Sequence, residues 1–308
     1  MSASREASPS HRSVREVTVG ELRTTALSRR PGRARRPDRS AWWSAGIVTG
    51  LGLATCLPLY TVIYRQQAAG VSPAAKAMSD MAMNNMGVYW AFPVLQATGI
   101  AALIWAYLGV CLGLLESGKP VRWLPLTRAQ VDRVHRQISL LVLSLILIHA
   151  VTTAFDQMGD NAKTAFLPWQ EPWSAAVFGY NTGIFAFYLA LLVGPSYYLR
   201  RRIGPARWRF VHRFALVVYV LSLWHTLLLG ADFAYYEWIR PVTWLAQVPL
   251  LGLFVRRLLM PRGARHEQAS QAVARAIGRY GLAAAGAGAA LAVVVVVVTG
   301  HAGLPHRV

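Results

Sequence analysis

Residues 134–150 read VHRQISLLVLSLILIHA, and residues 211–226 read VHRFALVVYVLSLWHT. Each opens on Val-His-Arg and runs through an apolar stretch to a second histidine. His135 and His149 are 14 residues apart, and His212 and His225 are 13 apart. At about 1.5 Å rise per residue, each pair spans roughly 20 Å of helix, most of the roughly 30 Å hydrocarbon core of a bilayer. No Asp, Glu, Lys or Arg lies between Gln137 and Phe155 or between Phe214 and Ala231. The repeat predicts two membrane-crossing helices, each carrying imidazoles at two depths, and so an all-α polytopic bundle.

The rest of the chain agrees. It is 55% hydrophobic and 15% charged over 308 residues, far from the balance of a soluble globular protein. Seven uncharged runs approach or exceed a span: 40–64, 81–115, 137–155, 172–199, 214–231, 241–255 and 280–300. The sixth is short, but Arg256 and Arg257 can snorkel to the interface and let Leu258 to Met260 complete it. With the N-terminus cytoplasmic and one crossing per run, 27 of the 32 Lys and Arg residues fall inside. That is the positive-inside asymmetry, and it puts the C-terminus outside. In a soluble chain a net charge of +19 would suggest nucleic acid; here the charge belongs to the lipid-facing cytoplasmic side, and nucleic acid is not an expected partner. Arg outnumbers Lys 29 to 3, a bias of GC-rich bacterial genomes, so the expected location is a bacterial cytoplasmic membrane.

Five regions follow. Residues 1–40, with ten Arg among Ser, Pro and Ala, are too poor in large apolar side chains to order themselves and read as a cytoplasmic tail near anionic lipid heads. Residues 41–260 are a six-helix membrane domain, 261–279 a cytoplasmic loop, 280–300 a seventh helix and 301–308 an outer tail. Arg29-Arg30 and Leu53-Ala54-Thr55-Cys56 fit export signals poorly, so the first helix is expected to be retained. Cys56 and Cys111 lie in apolar runs and read as packing residues. Gly46, Gly50 and Gly52 in the first run, with Gly281, Gly286 and Gly288 in the seventh, would permit close helix approach. There is neither a glycine fingerprint for a dinucleotide nor a phosphate loop.

Histidine inside a bilayer usually marks a functional site. The other four (His11, His266, His301, His306) lie in tails or loops. By parity the third and fifth runs are parallel, so His135 matches His212 near the inner face and His149 matches His225 nearer the outer face. Two axial imidazoles make a six-coordinate haem suited to electron transfer; zinc would need four ligands in one tetrahedron, which pairs roughly 20 Å apart cannot supply. The expected metal ligands are therefore these four histidines, holding an inner and an outer haem. Arg136, Arg213 and Arg209 are candidate partners for haem propionates, since guanidinium bonds carboxylate bidentately; ordinary positive-inside charge is the competing account. One difficulty is angular. Fourteen residues fall about 40° short of four turns, but 13 fall about 140° short, so a tightened or unwound stretch is expected between His212 and His225, or else haems meeting that helix from different sides.

The two histidine-bearing helices resemble the transmembrane domain of the ferric reductase and NADPH oxidase superfamily, and the Val-His-Arg openings resemble its bacterial members, including the haem membrane subunit of methionine sulfoxide reductase systems. The resemblance covers roughly residues 88–260 and rests on His135, His149, His212 and His225, with their uneven spacing. It implies a six-helix bundle holding two b-type haems, inner His135/His212 and outer His149/His225, that passes electrons from a cytoplasmic donor to an external acceptor. The chain departs in lacking a fused flavin and nicotinamide domain and in adding a seventh span. The donor must then be separate: a reductase protein, a non-covalent flavin or a quinol at the inner face, which Arg200 to Arg202, Arg207 and Arg209 could attract. Ferric chelates, oxygen or a partner protein remain open as acceptors, the first two reaching the haem edge past Asp232, Tyr235, Tyr236 and Glu237. A non-catalytic haem-binding anchor or sensor is the alternative. Met78, Met81, Met83, Met86 and Met158 form an outer thioether cluster that would suit Cu(I) or, more simply, an amphipathic segment on the membrane.

Overall fold

The computed structural model describes residues 39–259, except 82–86, 117–126, 156–161, 231–235 and positions 88, 171, 173 and 237. The chain divides into two units after Trp43. The first is described only over 39–43, the start of a helix, and the second, from Ser44, holds all remaining elements. In chain order the helices are α1 (Arg39–Ala68), α2 (Pro73–Met81), α3 (Ala91–Glu116), α4 (Arg128–Thr153), α5 (Ala162–Phe166), α6 (Ala175–Ile203), α7 (Pro205–His212), α8 (Phe214–Leu229), α9 (Ile239–Leu245) and α10 (Gln247–Leu259). No strand occurs among the described residues.

Among the described residues, five helical stretches are long and apolar enough to cross a membrane: 46–68, 91–116, 128–153, 176–203 and 205–229, the last combining α7 and α8. They correspond to the first five runs of the sequence, and the protein is a multi-pass membrane protein. The sixth run differs from a single continuous span. It is broken at Ala246 into α9 and α10. Pro249 has no N–H, and its ring crowds the carbonyl four residues back, so the helix is interrupted there. The seventh run, the tail 1–38, the loop 261–279 and the outer tail 301–308 lie outside the described residues, as do the side chains of the outer methionines.

Helix ends are set locally. Thr127 caps α4 with a reciprocal box: its hydroxyl accepts from Gln130 N at 3.3 Å, and its own N–H donates to Gln130 Oε1 at 2.8 Å. Between α6 and α7 the chain reverses through one residue, Gly204, whose φ of +85° lies where L side chains are strained; Pro205 then starts α7.

Packing also uses small residues outside the first and seventh runs. Ala97 and Ala101 on α3 are buried; Ala101 lies in one cluster with Leu141 and Leu145 of α4, flanked by Val48, Cys56 and Leu59 of α1. Small side chains let the backbones approach where lipid gives no hydrophobic push. In α1 only Gly52 is a contact glycine, facing Leu141, whereas Gly46 and Gly50 face open space. Both cysteines are free thiols. Polar ties between helices include Trp105 Nε1 donating to Thr55 Oγ1 at 3.1 Å and Tyr219 OH donating to Gln247 Oε1 at 2.7 Å. Outward positions such as Leu192, 66% exposed, present apolar surface suited to hydrocarbon.

Candidate functional site

The four span histidines come together as two pairs. The rings of His135 and His212 have centroids 6.0 Å apart and planes at 89°. Those of His149 and His225 are also 6.0 Å apart, at 87°. First histidine meets first and second meets second, so α4 and the α7–α8 span run in the same direction, as the sequence predicted. The angular difficulty is met partly by a junction: α7 ends at His212 and α8 begins at Phe214. Around it, Arg213 N donates to Phe210 O and Leu216 N to Arg213 O, both at 3.2 Å. These three-residue closures overtwist the helix just after His212.

Three imidazoles are mounted alike. His135 Nδ1–H donates to Gly109 O at 3.0 Å, His149 Nδ1–H to Leu95 O at 2.9 Å and His225 Nδ1–H to Gly179 O at 3.0 Å. A carbonyl can only accept, so the proton sits on Nδ1 and the Nε2 lone pair is left for a metal. Four residues beyond each carbonyl stands a glycine. A Cβ on Gly113 would come within 3.2 Å of the His135 ring, on Gly99 within 2.9 Å of His149, and on Gly183 within 2.5 Å of His225. Each ring occupies space that any side chain would fill. These glycines escaped sequence reasoning, although Gly99 and Gly113 repeat the 14-residue interval of His135 and His149.

His212 is mounted differently. Its ring makes no hydrogen bond among the described residues and lies flat on Trp208, with centroids 5.2 Å apart and planes at 21°. Trp208 in turn meets Tyr197 edge-on at 6.1 Å. Tyr197 stands 14 residues after Gly183, where a fourth glycine would continue the pattern. The Trp208 indole Nε1 is buried without a partner among the described residues.

Of the arginines, Arg136 is already engaged. It pairs with Asp132 at 3.0 Å and donates to Tyr197 OH at 3.1 Å, while Arg200 lies 4.1 Å over the Tyr197 ring. Arg209 and Arg213 are exposed and make no side-chain hydrogen bond or ion pair among the described residues.

No group of three or more His, Cys, Asp or Glu that could hold a bare metal ion occurs among the described residues. Paired imidazoles suit a metal whose other ligands come from a macrocycle. Metal–imidazole bonds are about 2 Å; two of them plus the half-width of each ring give about 6 Å between centroids, which is the spacing present. The facing imidazole pairs, the fixed tautomers and the orphaned indole donor all fit a planar, carboxylate-bearing iron group.

Fold and site together define a multi-pass helical membrane protein with stacked imidazole pairs. Residues 98–223 match the family described as ferric reductase like transmembrane component, and this part of the chain is similar to a ferric reductase-like transmembrane domain. Such domains generally bind haem and suggest membrane electron transfer. The matched segment holds His135, His149 and His212, and His225 follows two residues beyond its end. Comparison with curated proteins and with solved structures gives no match.

Proposed function

We propose that the protein is a di-haem b-type cytochrome that carries electrons across a bacterial cytoplasmic membrane, from a separate cytoplasmic or quinol donor to an external acceptor. The observation that carries this reading is the pair of facing imidazoles, each pair at 6.0 Å, at two depths of the same two helices. His135 and His212 would hold the inner haem, and His149 and His225 the outer. A haem held by these pairs would supply one-electron chemistry.

The chain's own part is to hold and orient. Backbone carbonyls of Leu95, Gly109 and Gly179 keep three imidazoles in the ligating tautomer, and those hydrogen bonds raise their basicity toward iron. Arg209 and Arg213 are the free guanidiniums for propionates, and Arg136 braces Tyr197. Helices α3, α4, α6 and α8 surround the outer pair, with α9 and α10 completing a sixth crossing; the seventh, expected at 280–300, lies outside the described residues. The N-terminus is cytoplasmic and the C-terminus external. Arg200 to Arg202 and Arg207 form the cytoplasmic face on which an acidic donor, a flavin or a quinol headgroup would settle. A ferric chelate, oxygen or a partner protein would be served outside.

A reduced-minus-oxidised spectrum of the purified protein with haem quantitation tests this. Near two haems per chain are expected. His135→Ala or His212→Ala should remove one, and His149→Ala or His225→Ala the other; full haem content in all four variants refutes the assignment. Haem that no external oxidant can reoxidise would instead mark a non-catalytic anchor.

A further inference from the structure

His212 lacks both devices that fix the other three histidines, yet its ring stands as nearly perpendicular to its partner as the outer pair does: 89° against 87°. Something must hold it. The side chain in position to do so is Trp208, one helical turn earlier on α7, stacked on the imidazole at 5.2 Å. An indole plane lying flat on an imidazole blocks rotation about its χ2 as a backbone hydrogen bond would. Tyr197, filling the place of the missing glycine, backs the indole from α6, and Arg136 and Arg200 hold Tyr197 from two sides.

The indole also carries an unspent donor. Trp208 Nε1 is buried and has no acceptor among the described residues, a state that is costly unless something accepts from it. It belongs to a side chain touching one of the two inner imidazoles. An acceptor supplied by whatever those imidazoles hold would relieve that cost, and the oxygen-bearing groups of a haem are its carboxylates.

We propose, resting on the two-haem reading, that Trp208 is the positioning residue of the inner pair: its ring fixes the His212 plane, and its Nε1–H meets a carboxylate of the inner haem. A donated hydrogen bond draws off carboxylate charge that the iron would otherwise feel. Losing it favours the more positive ferric form and lowers the inner reduction potential.

The test uses the full-length protein and its Trp208→Phe and Trp208→Leu variants, read by haem quantitation, potentiometric titration and the low-spin ferric resonance. His135→Ala and His149→Ala assign which transition is inner. Phe keeps a flat ring and loses the donor. It should retain both haems and the inner ferric resonance, with the inner transition moved to lower potential and the outer unmoved. Leu loses both devices and should also alter the inner resonance, because the angle between axial ligand planes governs its anisotropy, and shed inner haem while the outer stays. Inner potential and resonance unchanged in both variants would overturn the proposal. So would loss of both haems together, which marks general packing. A wild-type protein without haem would overturn the two-haem reading as well, which separates that failure from the first two.

Discussion

The α3–α4 hairpin and the α6–α8 hairpin solve the same problem with different materials. In α3–α4 both histidines rest on backbone: a carbonyl fixes the ring and a glycine four residues later makes room, repeated after 14 residues. In α6–α8 that arrangement survives only at the outer level, around Gly179 and Gly183. At the inner level side chains take over, with Tyr197 and Trp208 in place of glycine and carbonyl. Backbone cannot be repacked without moving a helix, whereas a ring stack can. The outer pair is therefore held on both sides by main chain, and the inner pair on one side only.

The sharpest way to break this contrast is to put a methyl group under the outer pair. Gly183→Ala would place Cβ 2.5 Å from the His225 ring, closer than such atoms can stand, at a cost of about 1–3 kcal/mol or more. Haem quantitation should fall from near two per chain toward one, with the inner haem retained. The α3 glycines sharpen the comparison by degree. Gly99→Ala, at 2.9 Å from His149, should weaken the outer haem more than Gly113→Ala, at 3.2 Å from His135, weakens the inner; retention of each haem during detergent washing measures the order. Next comes the support of α4 as a whole. Thr127→Ala removes its cap and should cost about 1 kcal/mol of stability, seen as a lower thermal midpoint with both haems lost together. The smallest effect belongs to Asp132→Asn. Its ion pair with Arg136 is about half exposed on both sides, 45% and 46%, so about 0–1 kcal/mol is expected, with little change in either haem's spectrum.

The histidines were legible because membrane depth makes them conspicuous and helical rise converts their spacing into height. Their pairing followed from parity alone, without any knowledge of contacts. The glycine mounts were not legible as mounts. Gly99 and Gly113 acquire meaning only through the register of α3 against α4, which no single helix states about itself. The same limit explains the first run, where Gly46, Gly50 and Gly52 look alike in sequence but only Gly52 turns toward a neighbour. Pro249 could have revealed the interruption of the sixth run, but a count of uncharged residues passes over it. Arg136 read as a propionate partner because of its place beside His135; its fork also meets Asp132 of its own helix and Tyr197 of α6, and only the second contact needed the fold to be seen.

Three of the imidazoles are tethered to a neighbouring helix by the ring nitrogen that iron does not need. On the two-haem reading none of those tethers depends on the iron, so the bundle would keep its mould without it. Insertion then needs little reordering of the side chains that grip the newcomer, the penalty that preorganisation avoids. A cast of this kind can be folded into lipid first and filled afterwards.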